Sequence, residues 1–395
     1  MKICGVISEY NPFHNGHRYM LEKIRENGAS HIVVCMSGNV TQRGDFAVFD
    51  KHTRAKAALL NGADLIIELP VPYACSGAER FAFGGVCLLN SLGCTERLYF
   101  GSECGDIQKL TNACNAVLSD EVGQSIGQYL NLGMTFAAAR ENAVAECFGG
   151  LSDILHEPNN ILAIEYIKAL RTLNSAIQPC TIKRTGAAHD SHENENGIAS
   201  ASLIRERIYD GVSYRDFIPE NTVDVLDSCR NPPPHLPRLK FLEKAVLYRL
   251  RMMSKDDFAQ LPDISEGLEN RLYHAVRNGT SIDEILTEAK CKRYPLSRIR
   301  RSMINAFLGI TKESHQILPQ YIRVLGFNQN GRDILRIMRK SGTLPVIMKS
   351  ADIRKCSTEA RQMFALESRC DDIFSLSGEK NIICGQNLTE NMIIL

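Results

Sequence analysis

Near the start of the chain, His14-Asn-Gly-His17 has the residue types and spacing to act on a phosphate. Gly16 lets backbone come close to a ligand. A helix opening here would aim N–H groups and a partial positive charge at an anion in the turn. Both imidazoles could donate hydrogen bonds to that anion as charge builds on it. Such a site transfers at a phosphate rather than only holding one. Zinc is the rival chemistry, because it also takes closely spaced histidines. No nearby Cys, Asp or Glu completes a ligand set at a usual spacing, so no metal is assigned to the protein itself.

The elements that must hold this turn follow from the pattern around it. Residues 3–7 read as a short apolar strand and 16–26 as a helix. A second strand, 31–36, has a β-branched core. Helical spacing at 50–60, a strand at 65–69, a helix at 76–92 and a strand at 97–100 follow. Strands separated by helices imply a parallel sheet with right-handed crossovers, whose ligands gather at the carboxyl ends of the strands. The turn at 9–17, Ser37-Gly38, Glu68-Leu-Pro70 and Gly101-Ser-Glu103 fall there.

From 106 to 173 the pattern is helical, broken near Glu157-Pro158, and 180–183 reads as another strand. The polar run 187–196, with His189 and His192, reads as a mobile loop before a helix opening at 197–205. In Asn231-Pro-Pro-Pro-His235-Leu-Pro237, three consecutive prolines cannot continue a helix. The expected division is therefore an α/β domain, 1–230, and a mainly helical region, 231–395. Helices are expected at 239–252, 266–278, 281–290, 296–308 and 332–341.

Charge divides at the same place. The net +1 splits into −7 over residues 1–230 and +8 over 231–395. A basic half suits a docked polyanion, or is a set of solvated helices. The 14 cysteines are scattered, with no Cys-x-x-Cys pair, which fits reduced thiols in a cytosol. No apolar run approaches the ~20 residues of a membrane span, and the N-terminus lacks the pattern of a signal peptide. The expectation is a soluble, cytoplasmic protein with no membrane contact and no obligatory protein partner.

His14-Asn-Gly-His17 after a first strand resembles the HxGH signature of the nucleotidylyltransferase superfamily, related to the HIGH motif of class I aminoacyl-tRNA synthetases. The longer text is more specific. Ile7-Ser-Glu-Tyr-Asn-Pro-Phe-His-Asn-Gly-His17, Met36-Ser-Gly-Asn, Gln42-Arg-Gly44, Asp64-Leu-Ile-Ile-Glu-Leu-Pro70, Phe100-Gly-Ser-Glu103 and Pro158-Asn-Asn-Ile-Leu162 together resemble the bacterial tRNA(Met) cytidine acetate ligase family. The match runs in order over about the first 210 residues.

That resemblance implies a Rossmann-like catalytic domain. It also implies an ATP-dependent ligase that turns acetate into acetyl-adenylate. The acetyl group then passes to N4 of the wobble cytidine, C34, of elongator tRNA(Met), with AMP and pyrophosphate released. Mg²⁺ is expected with the pyrophosphate. His14 and His17 become catalytic. ATP contacts are implied for Ile7, Ser8, Glu9, Tyr10, Asn11, Pro12, Phe13, His14, Asn15, Gly16, His17, Arg18, Tyr19 and Met20. The alternative is a small-molecule nucleotidylyltransferase making an adenylyl or cytidylyl product. Such enzymes share HxGH but are usually shorter and need no basic C-terminal half.

The other candidates carry two readings each. Gly101 lets backbone meet a flat adenine or ribose, or is a turn glycine. Of Asn159 and Asn160, one would contact ATP by the resemblance, and either could be an ordinary helix cap. Arg184 would fork onto phosphate or form a surface salt bridge. Ser200-Ala-Ser202-Leu-Ile-Arg205 resembles the Ser-x-Thr-x-Ile-Arg element that closes these sites, with Ser202 where Thr is common. It forms a second phosphate cradle, or is a capped helix whose Arg205 pairs with Glu206 or Asp210. Arg43, Lys51 and Arg54 would grip phosphates or lie on a solvated face. Lys290, Lys292, Arg293, Tyr294, Arg298, Arg300 and Arg301 form the strongest basic cluster. It suits tRNA phosphates with Tyr294 stacking on an unpaired base, or an amphipathic helix with solvated arginines.

Overall fold

The computed structural model describes residues 1–184, 199–228, 235–265 and 267–395. Its sheet contains β1 (Ile3–Ser8), β2 (His31–Ser37), β3 (Leu65–Leu69), β4 (Arg97–Ser102), β5 (Gln178–Lys183), β6 (Ile322–Phe327), β7 (Val346–Ile347) and β8 (Ile393–Ile394). The strand order is β5-β4-β1-β2-β3-β6-β7, with β8 also paired to β6. The first five strands in that order are mutually parallel, as alternation with helices requires. The chain builds outward from β1 to β2 and β3, then returns to place β4 on the other side of β1. That reversal opens a crevice at the carboxyl ends of β1 and β4.

Both faces of the central strands are covered, so successive residues feed different cores. Ile3 and Ile7 join one apolar cluster, with Phe81, Val86 and Leu89 of the Ala78–Ser91 helix. Cys4 and Val6 join another, with α1 (Asn15–Glu26) and α2 (Lys51–Leu60). A β-carbon on Gly85 would stand 2.6 Å from Ile7 Cδ1, so the 78–91 helix packs directly on β1.

Beyond residue 231 the chain is mostly helical but not only helical. β6 pairs antiparallel with β3, Leu65 opposite Phe327 and Ile66 opposite Gly326. Six residues buried on both faces show neither alternation nor a helical period, so the sequence pattern did not reveal β6. The Thr358–Phe374 helix has no counterpart among the expected elements, whereas the helix expected at 296–308 has those bounds. The C-terminal helices share a core with Val40, Phe46, Val71 and Cys75, from the segments after β2 and β3. Residues 231–395 are therefore tied to the sheet through a strand and a common core.

The loop expected at 187–196, with its histidines, lies outside the described residues, as do residues 231–234 of the proline break and Glu266. Thirteen cysteines are free thiols among the described residues. No helix there is long and apolar enough to cross a membrane.

Candidate active site

β1 ends at Ser8, and the chain turns through Tyr10, whose φ is +47°, before α1 begins. His14 is the N-cap of α1, and its Nδ1 accepts the Gly16 N–H at 3.1 Å. His17 Nδ1 accepts the His14 N–H at 3.2 Å. The two rings stack with centroids 3.7 Å apart. This alters the expectation of a bare helix N-terminus facing the anion, because the imidazoles themselves take two of the amide protons. With each Nδ1 accepting, the proton of a neutral ring sits on Nε2, and Nε2–H becomes the donor.

The rings are neutral. Burial is the main cause that pulls the His14 pKa down to about 3, with the charges of Arg184 and Arg205 adding to it. Burial also holds His17 well below the usual imidazole range, aided by His14 and Arg184. Behind them, Tyr10 and Phe13 are buried in the core. Tyr10 meets His17 edge-on with centroids 4.7 Å apart, and Phe13 lies 5.6 Å from it. Their rings brace His17 from inside the fold.

The loop is fastened on every side. The Glu9 carboxylate accepts the Gln42 N–H at 2.6 Å, and Asn11 Oδ1 accepts the Val48 N–H at 2.8 Å. Arg205 donates one prong to the Asn11 carbonyl at 2.9 Å and another to Ser202 Oγ at 3.1 Å. Ser202 and Arg205, on the Ala201–Tyr209 helix, thus reach the His14 loop. The guanidinium spends two donors on the protein rather than standing ready for phosphate alone. Arg184 follows β5 and lies over Gly101 of β4, where a β-carbon would come 3.2 Å from its Cγ.

Asn159 and Asn160 open the Pro158–Thr172 helix. Asn160 Oδ1 accepts N–H groups from Glu103 and Cys104, at 3.0 and 3.2 Å. The Glu103 carboxylate in return takes the Asn160 N–H at 2.9 Å and the Asn159 carboxamide. Both asparagines therefore work in the joint between the β4 loop and this helix, beside Gly101.

Lys51 and Arg54 are not on a solvated face and do not point at solvent phosphates. They are 1% and 0% exposed. Lys51 Nζ lies 2.7 Å from both Glu68 and Asp371, and donates to Asn387 at 2.9 Å. Sequence reading missed Glu68, Asp371 and Asn387 as its partners. The available signal was α2 itself, where Lys51 and Arg54, three residues apart, open a helix that continues mostly in Ala and Leu.

The basic cluster divides in two. Tyr294 is 5% exposed, so it does not present its ring to a base, and Arg298 covers that ring at 5.5 Å. Arg298 donates to the Asp263 carbonyl at 2.8 Å and to Ser265 at 2.6 Å, and Arg301 pairs with the Asp263 carboxylate at 3.2 Å. These side chains flank the buried Ile299–Met303 face of the Leu296–Leu308 helix and secure it. Lys290, Lys292, Arg293 and Arg300 are exposed.

A neutral histidine pair at the crevice between β1 and β4, flanked by two arginines, suits stabilisation of charge on a phosphorus centre without a covalent enzyme intermediate. The model of the HIGH Nucleotidyl Transferase family matches residues 1–387. The chain belongs to that family, among the tRNA(Met) cytidine acetate ligases. The protein of that name from Thermoanaerobacter sp. (strain X514) is 39% identical, with all of both chains covered. Its namesake from Clostridium kluyveri is 37% identical over 100% of this chain and 99% of the relative. Among solved structures, Thermotoga maritima TmcAL in its apo form superposes with a TM-score of 0.95 at 32% identity, covering both chains in full. A second form of the same protein, bound with alpha-thio ATP, gives 0.92 at the same identity and coverage.

Proposed function

We propose that this chain is an ATP-dependent acetate ligase that forms N4-acetylcytidine at the wobble position of elongator tRNA(Met). The observation that carries this reading is end-to-end likeness to tRNA(Met) cytidine acetate ligases, with no part of the chain left over. A small-molecule nucleotidylyltransferase would give the exposed cations Lys290, Lys292, Arg293 and Arg300 no polyanion to meet.

In the proposed reaction, an acetate oxygen attacks the α-phosphorus of ATP. The bond to the bridging oxygen breaks, and pyrophosphate departs with its electron pair. Nε2–H of His14 and of His17 donate to the phosphate oxygens on which charge concentrates, which is positioning and electrostatics rather than nucleophilic catalysis. Cytidine N4 then attacks the acetyl carbon, AMP leaves with the electrons of the broken C–O bond, and N4 gives up a proton to solvent. Arg184 and Gly101 would border the nucleotide, and Arg205 would hold the histidine loop closed over it. Residues 1–230 would carry the adenylate chemistry and 231–395 would dock the tRNA. That work belongs to the cytoplasm, where tRNA and ATP meet.

Magnesium was expected with the pyrophosphate. The carboxylates of the two loops, Glu9 and Glu103, already accept backbone N–H groups. No group of three or more His, Cys, Asp or Glu is placed to hold a metal among the described residues. The residues present do not fit a protein-built magnesium cage.

The test incubates the protein with ATP, labelled acetate and bulk tRNA, then digests the RNA. Label in acetylated cytidine is expected. Label in a small-molecule product, with none in RNA, would overturn the reading.

A further inference from the structure

Arg54 sits in α2 with none of its surface exposed. Its Nε donates to the Phe49 carbonyl at 2.9 Å. Nη1 donates to the carbonyls of Glu9 at 2.6 Å and Ser37 at 3.1 Å, and Nη2 to that of Gly38 at 2.5 Å. No carboxylate pairs with it among the described residues. Burial lowers its pKa to about 10, which still leaves it charged at neutral pH. A buried charge is costly unless its donors are satisfied, and here backbone carbonyls alone satisfy them.

The acceptors mark where the guanidinium acts. Glu9 follows β1 and opens the histidine loop, whereas Ser37 ends β2 and Gly38 follows it. Carbonyl dipoles from two parallel strand ends converge there and would repel one another without a cation between them. Phe49 adds a second hold, because its neighbour Val48 donates the N–H that fixes Asn11. Arg54 therefore grips the loop at its start, directly, and at its middle through residues 48–49.

We propose that Arg54 is a positioning residue for the His14–His17 pair, setting both imidazoles against the α-phosphate from beneath without touching substrate. The planar guanidinium reaches four carbonyls at once. A lysine has the charge but three donors on a tetrahedral nitrogen, and cannot span the same set. The catalytic consequence rests on the acetyl-adenylate reading above, whereas the geometric one does not.

The experiment compares wild type with Arg54→Lys and Arg54→Ala. It reads the imidazole ring signals of His14 and His17 by NMR, and pyrophosphate release with ATP and acetate. Folded Arg54→Lys should move both ring signals. Its kcat should fall on the order of 10²-fold, the scale of a misplacement near 1 Å, while KM for ATP stays within about threefold. Added guanidinium ion should restore part of the rate in Arg54→Ala. Unmoved ring signals with wild-type kcat would overturn the proposal. So would a loss that only tracks the unfolded fraction and does not respond to guanidinium. A wild type that releases no pyrophosphate with acetate would overturn the ligase reading instead, and the ring signals would still decide the role of Arg54.

Discussion

The backbone of Gly44 lies against that of Arg301, so closely that a β-carbon on Gly44 would stand 2.6 Å from the Arg301 nitrogen. Gly44 also has φ +74°, where a side chain is strained. Two residues earlier, Gln42 donates its N–H to Glu9 in the histidine loop. The basic Leu296–Leu308 helix and the histidine turn are thereby joined through three residues of chain. Gly44→Ala should lower stability by roughly 1–2 kcal/mol from the left-handed backbone alone, with the clash adding more. Thermal unfolding measures it, and an unchanged melting temperature would show that this joint yields easily.

His14→Ala and His17→Ala should each abolish acetyl-adenylate formation, while the lost helix cap lowers stability by only about 0.5–2 kcal/mol. Losing one such donor costs on the order of 10²–10³ in rate, by analogy with oxyanion-hole donors. The stack makes the effects dependent, because His17 holds the His14 amide and His14 holds that of Gly16. The double variant should therefore be little worse than either single one. Pyrophosphate release from ATP and acetate is the assay, and near-normal turnover in both singles would remove the pair from the chemistry.

Neutral histidines give a pH signature. With His14 held near 3, pyrophosphate release should show no acid limb at the 6.5 of an ordinary imidazole. For stability, unfolded His14 takes its proton near 6.5 and folded His14 only near 3. The unfolded state binds more protons between those values, so the contribution is full above 6.5 and is lost as pH falls toward 3. Denaturant midpoints across that range should fall less steeply in His14→Gln than in wild type. A wild-type rate profile with a midpoint near 6.5 would mean that a histidine titrates in the working enzyme.

Much of this was legible in the sequence, and the misses have physical causes. The first four strands and their helices announced themselves because apolar runs alternate with helical spacing from Ile3 to Phe100. The helix expected to open within 197–205 begins at Ala201, where the Ser200 hydroxyl caps it by accepting the Leu203 N–H. What stayed hidden depends on neighbours distant in sequence. Lys51 reads as a surface cation until Asp371 and Asn387, over 300 residues away, are brought to it. Tyr294 reads as a stacking ring until the Asp263–Ser265 turn draws Arg298 across it. A basic run shows how many charges a segment carries and not which of them the fold consumes.

That last distinction supplies the sharpest test of the tRNA surface. Arg301 is spent on Asp263, whereas Lys292, Arg293 and Arg300 are exposed. Neutralising those three together should weaken tRNA binding and leave tRNA-independent pyrophosphate release and the melting temperature unchanged. For every phosphate that the variant no longer neutralises, the slope of log affinity against log salt should shrink by up to about one. A salt series therefore reads how many phosphates this face holds. Arg301→Ala should do the reverse. Removing a partly buried, charge-assisted hydrogen bond should cost about 1.5–3 kcal/mol of stability, with the salt slope untouched. Binding titrations at several salt concentrations, beside thermal unfolding of each variant, separate the two roles. If the exposed triple variant keeps the wild-type slope and affinity, that face is merely solvated and the tRNA docks elsewhere. If Arg301→Ala flattens the slope, its pairing with Asp263 must open when RNA arrives.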